Sequence, residues 1–190
     1  MAEIDLAVSM LAAKIGELLQ TGKRCILAID GRCAAGKTTL AAHLQTMFHC
    51  SVIHMDHFFL RPEQRTPARL EQPGGNIDYE RFAQEIIPPL QSGTDFSYRP
   101  YLCHTQTFGD PIFIRHTPLM IVEGSYACHP ALAVPYDLKV FLTVDSAQQL
   151  RRIEARNGKS RLSQFAQRWI PLEEQYFKTF QIAEASNFCF

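Results

Sequence analysis

The stretch Gly31-Arg32-Cys33-Ala34-Ala35-Gly36-Lys37-Thr38 constrains this chain more than any other. It fits the spacing G-x-x-x-x-G-K-[ST], in which two glycines let the backbone curl until successive N–H groups face one concavity. Such a concavity suits a polyphosphate. Lys37 then stands as a point charge able to reach β and γ phosphates, and the Thr38 hydroxyl can join the shell of a Mg²⁺ ion. The helix that Thr38 and Thr39 open directs its positive end at the same anion. Gly31, Arg32, Cys33, Ala34, Ala35, Gly36, Lys37, Thr38 and Thr39 are therefore the expected nucleotide-binding residues. The flanks agree with this. Cys25-Ile26-Leu27-Ala28-Ile29 is a short apolar run, as a buried parallel strand should be, and Leu40 and Leu44 share one face of the helix that follows.

Composition limits the partners such a loop can serve. The 190 residues suit one domain, 1–190, and a hydrophobic share of 46% is ample for a core. Nineteen Lys and Arg balance nineteen Asp and Glu. That balance lacks the positive field that broad nucleic-acid or membrane-surface binding needs, while a nucleotide site needs only a few local cations. A small molecule is thus the expected partner, with no nucleic acid and no membrane; self-association stays open. The six cysteines form no C-x-x-C and read as reduced thiols of a cytoplasmic protein. Cys33, inside the loop, is either a thiol activated by the helix end or a filler at an unconstrained position, and the second is preferred. Glu3, Asp5, Lys14 and Glu17 interrupt any signal-peptide core. Leu11, Ile15 and Leu18 recur at helical spacing, which predicts an amphipathic helix over about 3–20.

Further along, Ser51–Met55 reads as a second strand ending at Asp56. Residues 57–76 carry three prolines and two glycines, and a connection that long is functional or mobile. Asp78 caps a helix over about 79–90, which Pro88-Pro89 is expected to stop. Residues 94–116 read as an extended hairpin in the acceptor site with its turn near Gly109-Asp110. Leu119–Val122 and Leu138–Leu142 are buried strands. A basic segment with Arg151, Arg152, Arg156, Lys159 and Arg161 precedes a helix over about 163–182, and 151–170 is the expected lid. Trp169, Phe165 and Leu172 read as core, and Phe188–Phe190 as a last strand or a frayed end. Strands alternating with helices predict an α/β fold: a P-loop NTPase-type parallel sheet flanked by helices, with a β-hairpin insertion and a helical lid.

Phosphoryl transfer needs an in-line acceptor, charge stabilisation and a carboxylate for the acceptor's proton. Asp56, at a strand end on the edge where open α/β sheets bind ligands, is the candidate carboxylate, expected to keep an ordinary aspartate pKa and to accept the proton late. Glu123 closes an apolar strand and is expected, with Thr38, at Mg²⁺. At least one of Arg152, Arg156 and Arg161 is expected to close on the transferring phosphoryl as part of a flap; a solvated helix face is the other reading. Asp78, Tyr98, Tyr101 and His104 are candidates for the acceptor pocket, each with an alternative as a cap, strand residue or loop residue.

In order, Ile29-Asp30-Gly31 with Gly36-Lys37-Thr38-Thr39, His54-Met55-Asp56-His57-Phe58-Phe59, Asn76-Ile77-Asp78-Tyr79, Tyr98-Arg99-Pro100-Tyr101 with His104, and Val122-Glu123-Gly124-Ser125-Tyr126 resemble the uridine kinase-like family of P-loop nucleoside kinases, related to phosphoribulokinase and pantothenate kinase. The resemblance spans about 29–126. It implies transfer of the γ-phosphate of ATP to the 5′-hydroxyl of a nucleoside, with uridine or cytidine the model acceptors. It also implies Asp56 as catalytic Asp, Glu123 as metal-linked Glu, Asp78 on ribose, and His104 with one of Tyr98 and Tyr101 at the base. Arg156-Asn157-Gly158 departs from the family's usual flap pattern. Two other functions use the same loop: a nucleotide switch or hydrolase, and a non-catalytic nucleotide-binding module. No N-K-x-D guanine-reading motif accompanies the loop, and a non-catalytic module has no need of Asp56.

Overall fold

In the computed structural model, which describes residues 2–190, the chain opens on helix α1 (Ala2–Gln20) and enters strand β1 (Cys25–Gly31), buried at every position but Ile26. The glycine-bearing turn leads into α2 (Lys37–Phe48), and β2 (Ser51–His54) follows. The middle of the chain holds short helices α3 (Pro67–Leu70), α4 (Tyr79–Glu85) and α5 (Ile87–Ser92). Four brief strands come next: β3 (Phe96–Tyr98), β4 (Tyr101–Leu102), β5 (Thr107–Phe108) and β6 (Ile112–Ile114). Strands β7 (Leu119–Glu123) and β8 (Leu138–Leu142) return to the sheet. Then α6 (Ser146–Asn157) and α7 (Lys159–Gln164) lead through a π-helical segment (Phe165–Trp169) into α8 (Ile170–Phe180), and β9 (Phe188–Cys189) ends the fold.

Five strands in the order β2-β7-β1-β8-β9 form one parallel sheet. Their apolar runs follow from burial on both faces. On one face Ala7, Leu11 and Ile15 of α1 and Leu40 and Leu44 of α2 pack on Leu27, Ile121 and Val140. On the other, Phe58, Phe82, Leu90, Tyr126 and Tyr176 pack on Ile53, Met120, Val122 and Phe141. The amphipathic face of α1 is therefore covered by its own chain. The carboxyl ends of β1, β2 and β7 lie side by side, with Ile29 opposite Glu123 and Glu123 opposite His54.

Several local expectations need correction. Pro88 and Pro89 do not stop a helix; the break falls at Ile86, and the prolines occupy the first turn of α5, where a missing N–H costs nothing. The hairpin region is two antiparallel pairs, β3–β6 and β4–β5, and its tip lies at Cys103–Gln106 rather than at Gly109-Asp110. Gln106 takes the left-handed conformation there (φ 58°) and its N–H donates to Leu102 O, while the Gly109 N–H is spent on Pro100 O. The 57–76 connection is not structureless, because Pro62–Gln64 forms a 3₁₀ turn and Pro67–Leu70 a helix capped by Thr66. Phe165, Trp169 and Leu172 are only half-buried; α8 instead turns Glu173, Tyr176 and Phe177 inward. Phe188–Cys189 is a strand, pairing with Val140 and Phe141. Among the described residues no helix is long and apolar enough to cross a membrane.

Candidate active site

The phosphate-binding geometry begins where β1 meets the loop. Gly31 has φ +132°, and a Cβ there would lie 2.0 Å from the carbonyl oxygen of Leu142 on β8, so only glycine lets the two strands run this close. Ala34 (φ 61°) and Gly36 (φ 102°) are both left-handed and curl the backbone around a hollow. The amides of Gly36, Lys37 and Thr38, at the start of α2, have no protein acceptor among the described residues. They are the donors a phosphate would meet. The Lys37 ammonium is buried against the loop, donating to Gly31 O at 2.6 Å, Arg32 O at 2.9 Å and Ser125 Oγ at 3.2 Å.

The outer side of the loop is tied to α6 and α8. Arg32 makes a two-pronged contact with Glu174 at 2.5 and 3.0 Å and also reaches the Thr143 hydroxyl. The Cys33 amide donates to Glu173 Oε2 at 3.0 Å, Gln149 Nε2 donates to Cys33 O at 3.1 Å, and Arg152 donates to Ala34 O at 3.0 Å. Burial pushes the Cys33 thiol up to about 12, which removes the activated-thiol reading. Beneath the loop, fully buried Asp30 accepts from Gly31 N, Tyr126 N, Cys128 N and the Tyr176 hydroxyl.

At the carboxyl edge, Thr38 Oγ1 lies 3.3 Å from each oxygen of Glu123. Strand pairing sets His54 beside Glu123, with Nδ1 2.5 Å from Oε1, and that carboxylate raises the pKa of His54. Asp56 follows two residues on, at the start of a 3₁₀ turn (Met55–Phe58). Its side chain keeps an exposed surface, yet solvation lost to the protein packed around it raises its pKa above the ordinary aspartate value; Lys37 draws it back, Glu123 adds to the rise, and Arg156 and His54 oppose it. The expectation of an unshifted aspartate gives way to a somewhat stronger base.

The residues expected around the acceptor divide. Tyr98 is buried, and its hydroxyl lies 2.9 Å from Nδ1 of His57. Burial holds the phenol up at about 12 and the imidazole down at about 4. The phenol is therefore the donor, Nδ1 the acceptor, and the remaining ring proton sits on Nε2. Tyr101 is buried as well, with its hydroxyl unpartnered. Asp78 is 3% exposed; it caps α4 by accepting from Arg81 N at 3.0 Å and takes Gln64 Nε2 at 2.8 Å, so both its oxygens are engaged internally. His104 is exposed at the hairpin tip, away from these contacts. Arg156 hydrogen-bonds Asn157 Oδ1 at 2.9 Å while its charge acts on Asp56, and Arg161 is exposed on α7.

Sequence reasoning missed Asp30, His54, His57, Glu173, Glu174 and Tyr176. Asp30 and the two histidines sit beside recognised motifs, and that adjacency was the available signal. The α8 residues carried none, because their partners lie far off in the chain, 48 positions for Ser125 and Glu173 and 140 or more for Cys33, Arg32 and Asp30. Among the described residues no three His, Cys, Asp or Glu side chains gather to hold a metal by themselves. Thr38 and Glu123 offer hard oxygen donors that fit Mg²⁺ when phosphate oxygens complete its shell.

The parallel sheet, the left-handed curl before α2 and the Lys37–Thr38–Glu123 grouping make this a P-loop NTPase-type fold. Within that class the architecture is shared with a protein described as a possible uridine kinase from Bacillus stearothermophilus, at 20% identity and a TM-score of 0.67, covering 95% of this chain and 99% of that one. It is shared also with the YGR205w protein, at 15% identity and a TM-score of 0.59, covering 93% and 88%. No model of a known protein family matches the chain.

Proposed function

We propose that this protein is an ATP-dependent kinase that transfers the γ-phosphate to a hydroxyl of a small molecule, in the first instance the 5′-hydroxyl of a nucleoside. The observation that carries the proposal is geometric: the amides at the start of α2, without a protein acceptor among the described residues, gather with Lys37 and the Thr38–Glu123 pair at the carboxyl edge of the sheet, where the turn after β2 adds the exposed carboxylate of Asp56. A nucleotide-binding module with no chemistry to perform has no use for a base there.

In this reading the loop amides and Lys37 hold the polyphosphate, and Lys37 leaves at least one loop carbonyl to do so. Thr38 and Glu123 would hold Mg²⁺, which would supply charge neutralisation on the phosphate oxygens. Asp56 orients the acceptor hydroxyl and takes its proton as the new bond forms. His57 offers Nε2–H as a hydrogen-bond donor one residue from that base. Arg152 and Arg156 sit on the arm 151–170, which closes over the phosphoryl group and excludes water.

The nucleoside acceptor rests on the sequence resemblance and on the fold shared with the possible uridine kinase. A different small acceptor is favoured by one specific observation: Asp78, Tyr98 and Tyr101, the residues to read ribose and base, are buried or engaged within the protein. The deciding experiment measures ADP release from ATP with and without a panel of nucleosides, pantothenate and sugar phosphates. Acceptor-dependent release supports the kinase and names its substrate. Turnover indifferent to every acceptor supports a hydrolase or switch, and tight ATP binding without turnover supports a binding module. Lys37→Ala is expected to abolish turnover, since it removes the cation nearest the transferring charge. Full activity in that variant would refute the assignment of the loop.

A further inference from the structure

An unbroken run of polar contacts joins Lys37 to the first turns of α8, and the proposed chemistry does not use it. Lys37 Nζ donates to Ser125 Oγ at 3.2 Å, the Ser125 hydroxyl donates to Glu173 Oε1 at 2.7 Å, and Glu173 Oε2 accepts the Cys33 amide at 3.0 Å. Glu173 is 6% exposed. A carboxylate at an inward helix position carries a desolvation cost that an apolar residue would avoid. Its neighbours Tyr176 and Phe177 show that this face of α8 otherwise packs on the core. Both of its oxygens are spent on the phosphate loop and on the residue that anchors the loop's lysine.

We infer that Glu173 is a positioning residue for nucleotide binding, acting through the Cys33 amide and through Ser125. The Cys33 amide precedes Ala34, the first left-handed residue of the curl (φ 61°), so fixing that amide fixes where the backbone turns. Ser125 is used in both directions. Because its proton goes to Glu173, a lone pair is left facing Lys37, which holds the ammonium at the edge of the hollow. Glu173 itself touches no phosphate in this scheme. The inference rests on the reading of the loop as a nucleotide site, and the test separates the two.

The experiment is calorimetric titration of the full chain with ADP and Mg²⁺, with thermal unfolding of the unliganded protein measured in parallel. Wild type is compared with E173L, E173Q and S125A. E173L removes both acceptors and is expected to weaken ADP binding about tenfold. E173Q keeps a carbonyl for the Cys33 amide and a polar partner for Ser125, and it is expected to recover most of that loss. In turnover assays the change should appear in the KM for ATP more than in kcat. Wild-type affinity in E173L, or an E173Q as weak as E173L, would overturn the inference, the latter because rescue by hydrogen bonding is what separates positioning from packing. Should E173L fail to fold, S125A carries the test: it cuts the link to Lys37 while leaving the Cys33 contact. Weaker ADP binding supports the inference, and unchanged binding overturns it. A wild-type protein that binds no ADP refutes the nucleotide reading and the inference together.

Discussion

At Asp56, solvation lost to the surrounding protein sets the balance against the charged form although the side chain keeps an exposed surface; Lys37 opposes the rise and Glu123 adds to it. A base must be ionised to act, so kcat/KM should climb with pH through this raised pKa and fall away on the acid side sooner than an ordinary aspartate, with a pKa near 3.9, would allow. Asp56→Asn should lower kcat by about 10²–10⁴ and remove the acid limb from whatever activity remains, with ATP affinity nearly intact. The stability effect has a definite sign. A carboxylate whose folded pKa lies above its unfolded value adds stability below the unfolded pKa, and that stability is lost as pH rises through the folded one. Asparagine cannot ionise, so Asp56→Asn should melt at a higher temperature than wild type at neutral pH and show no such advantage in acid. A neutral-pH melting point below wild type would mean that the carboxylate holds structure. Much of this residue-scale picture was legible in the sequence, because Lys37, Thr38, Asp56 and Glu123 are marked by local spacing or strand-end position. The pKa of Asp56 was not, since it depends on the protein packed around it and on Lys37, Glu123 and Arg156, brought in from elsewhere in the chain.

Elements were read well where their own periodicity decides them and poorly where a distant partner does. The strands β1 and β7 open on continuous apolar runs and β8 is apolar but for Lys139, so all three could be placed on sight. The last long helix could be placed and only partly oriented: Phe165, Trp169, Leu172, Tyr176 and Phe180 recur at helical spacing and Tyr176 does turn inward, whereas Phe165, Trp169 and Leu172 stay half-buried and Glu173 takes an inward place past the π-helical segment Phe165–Trp169, which shifts the phase. What fixes that phase is Asp30 at the end of β1, whose carboxylate binds Tyr176 across 146 positions of chain. Tyr176→Phe tests this tie between helix and sheet. The ring keeps its packing with Tyr126 and His129, but Asp30 loses one of its four donors in a fully buried site. Removing one partner of a buried acceptor costs about 1–3 kcal/mol. Unfolding in urea should therefore show a loss of that order with an unchanged m-value. A change within error of zero would mean that the three backbone amides hold Asp30 without help.

Across the whole molecule, burial is uneven in a way that bears on catalysis. Both core clusters sit on the sheet, and the nucleotide loop is fastened between them by β1, α6 and α8. Residues 154–168 contribute no buried side chain at all, and Gly158 breaks the helix within them. A segment that buries so little opens at low cost, since local stability follows the apolar contacts a segment makes. Its ends, however, are anchored at the loop: Arg152 on the Ala34 carbonyl at one end, Glu173 and Glu174 on Cys33 and Arg32 at the other. Any motion of the arm is expected between these two anchors, and the charge of Arg156 already acts on Asp56. Amide hydrogen exchange should find residues 154–168 weakly protected and the β1 amides strongly protected in the free protein. Addition of a non-hydrolysable ATP analogue with Mg²⁺ should raise protection in both the arm and the loop, because bound phosphate recruits the arm's arginines and the loop carries both anchors. Protection confined to the loop, with the arm exchanging as before, would mean that these arginines do not close on the nucleotide and that 154–168 is a solvated extension of the fold.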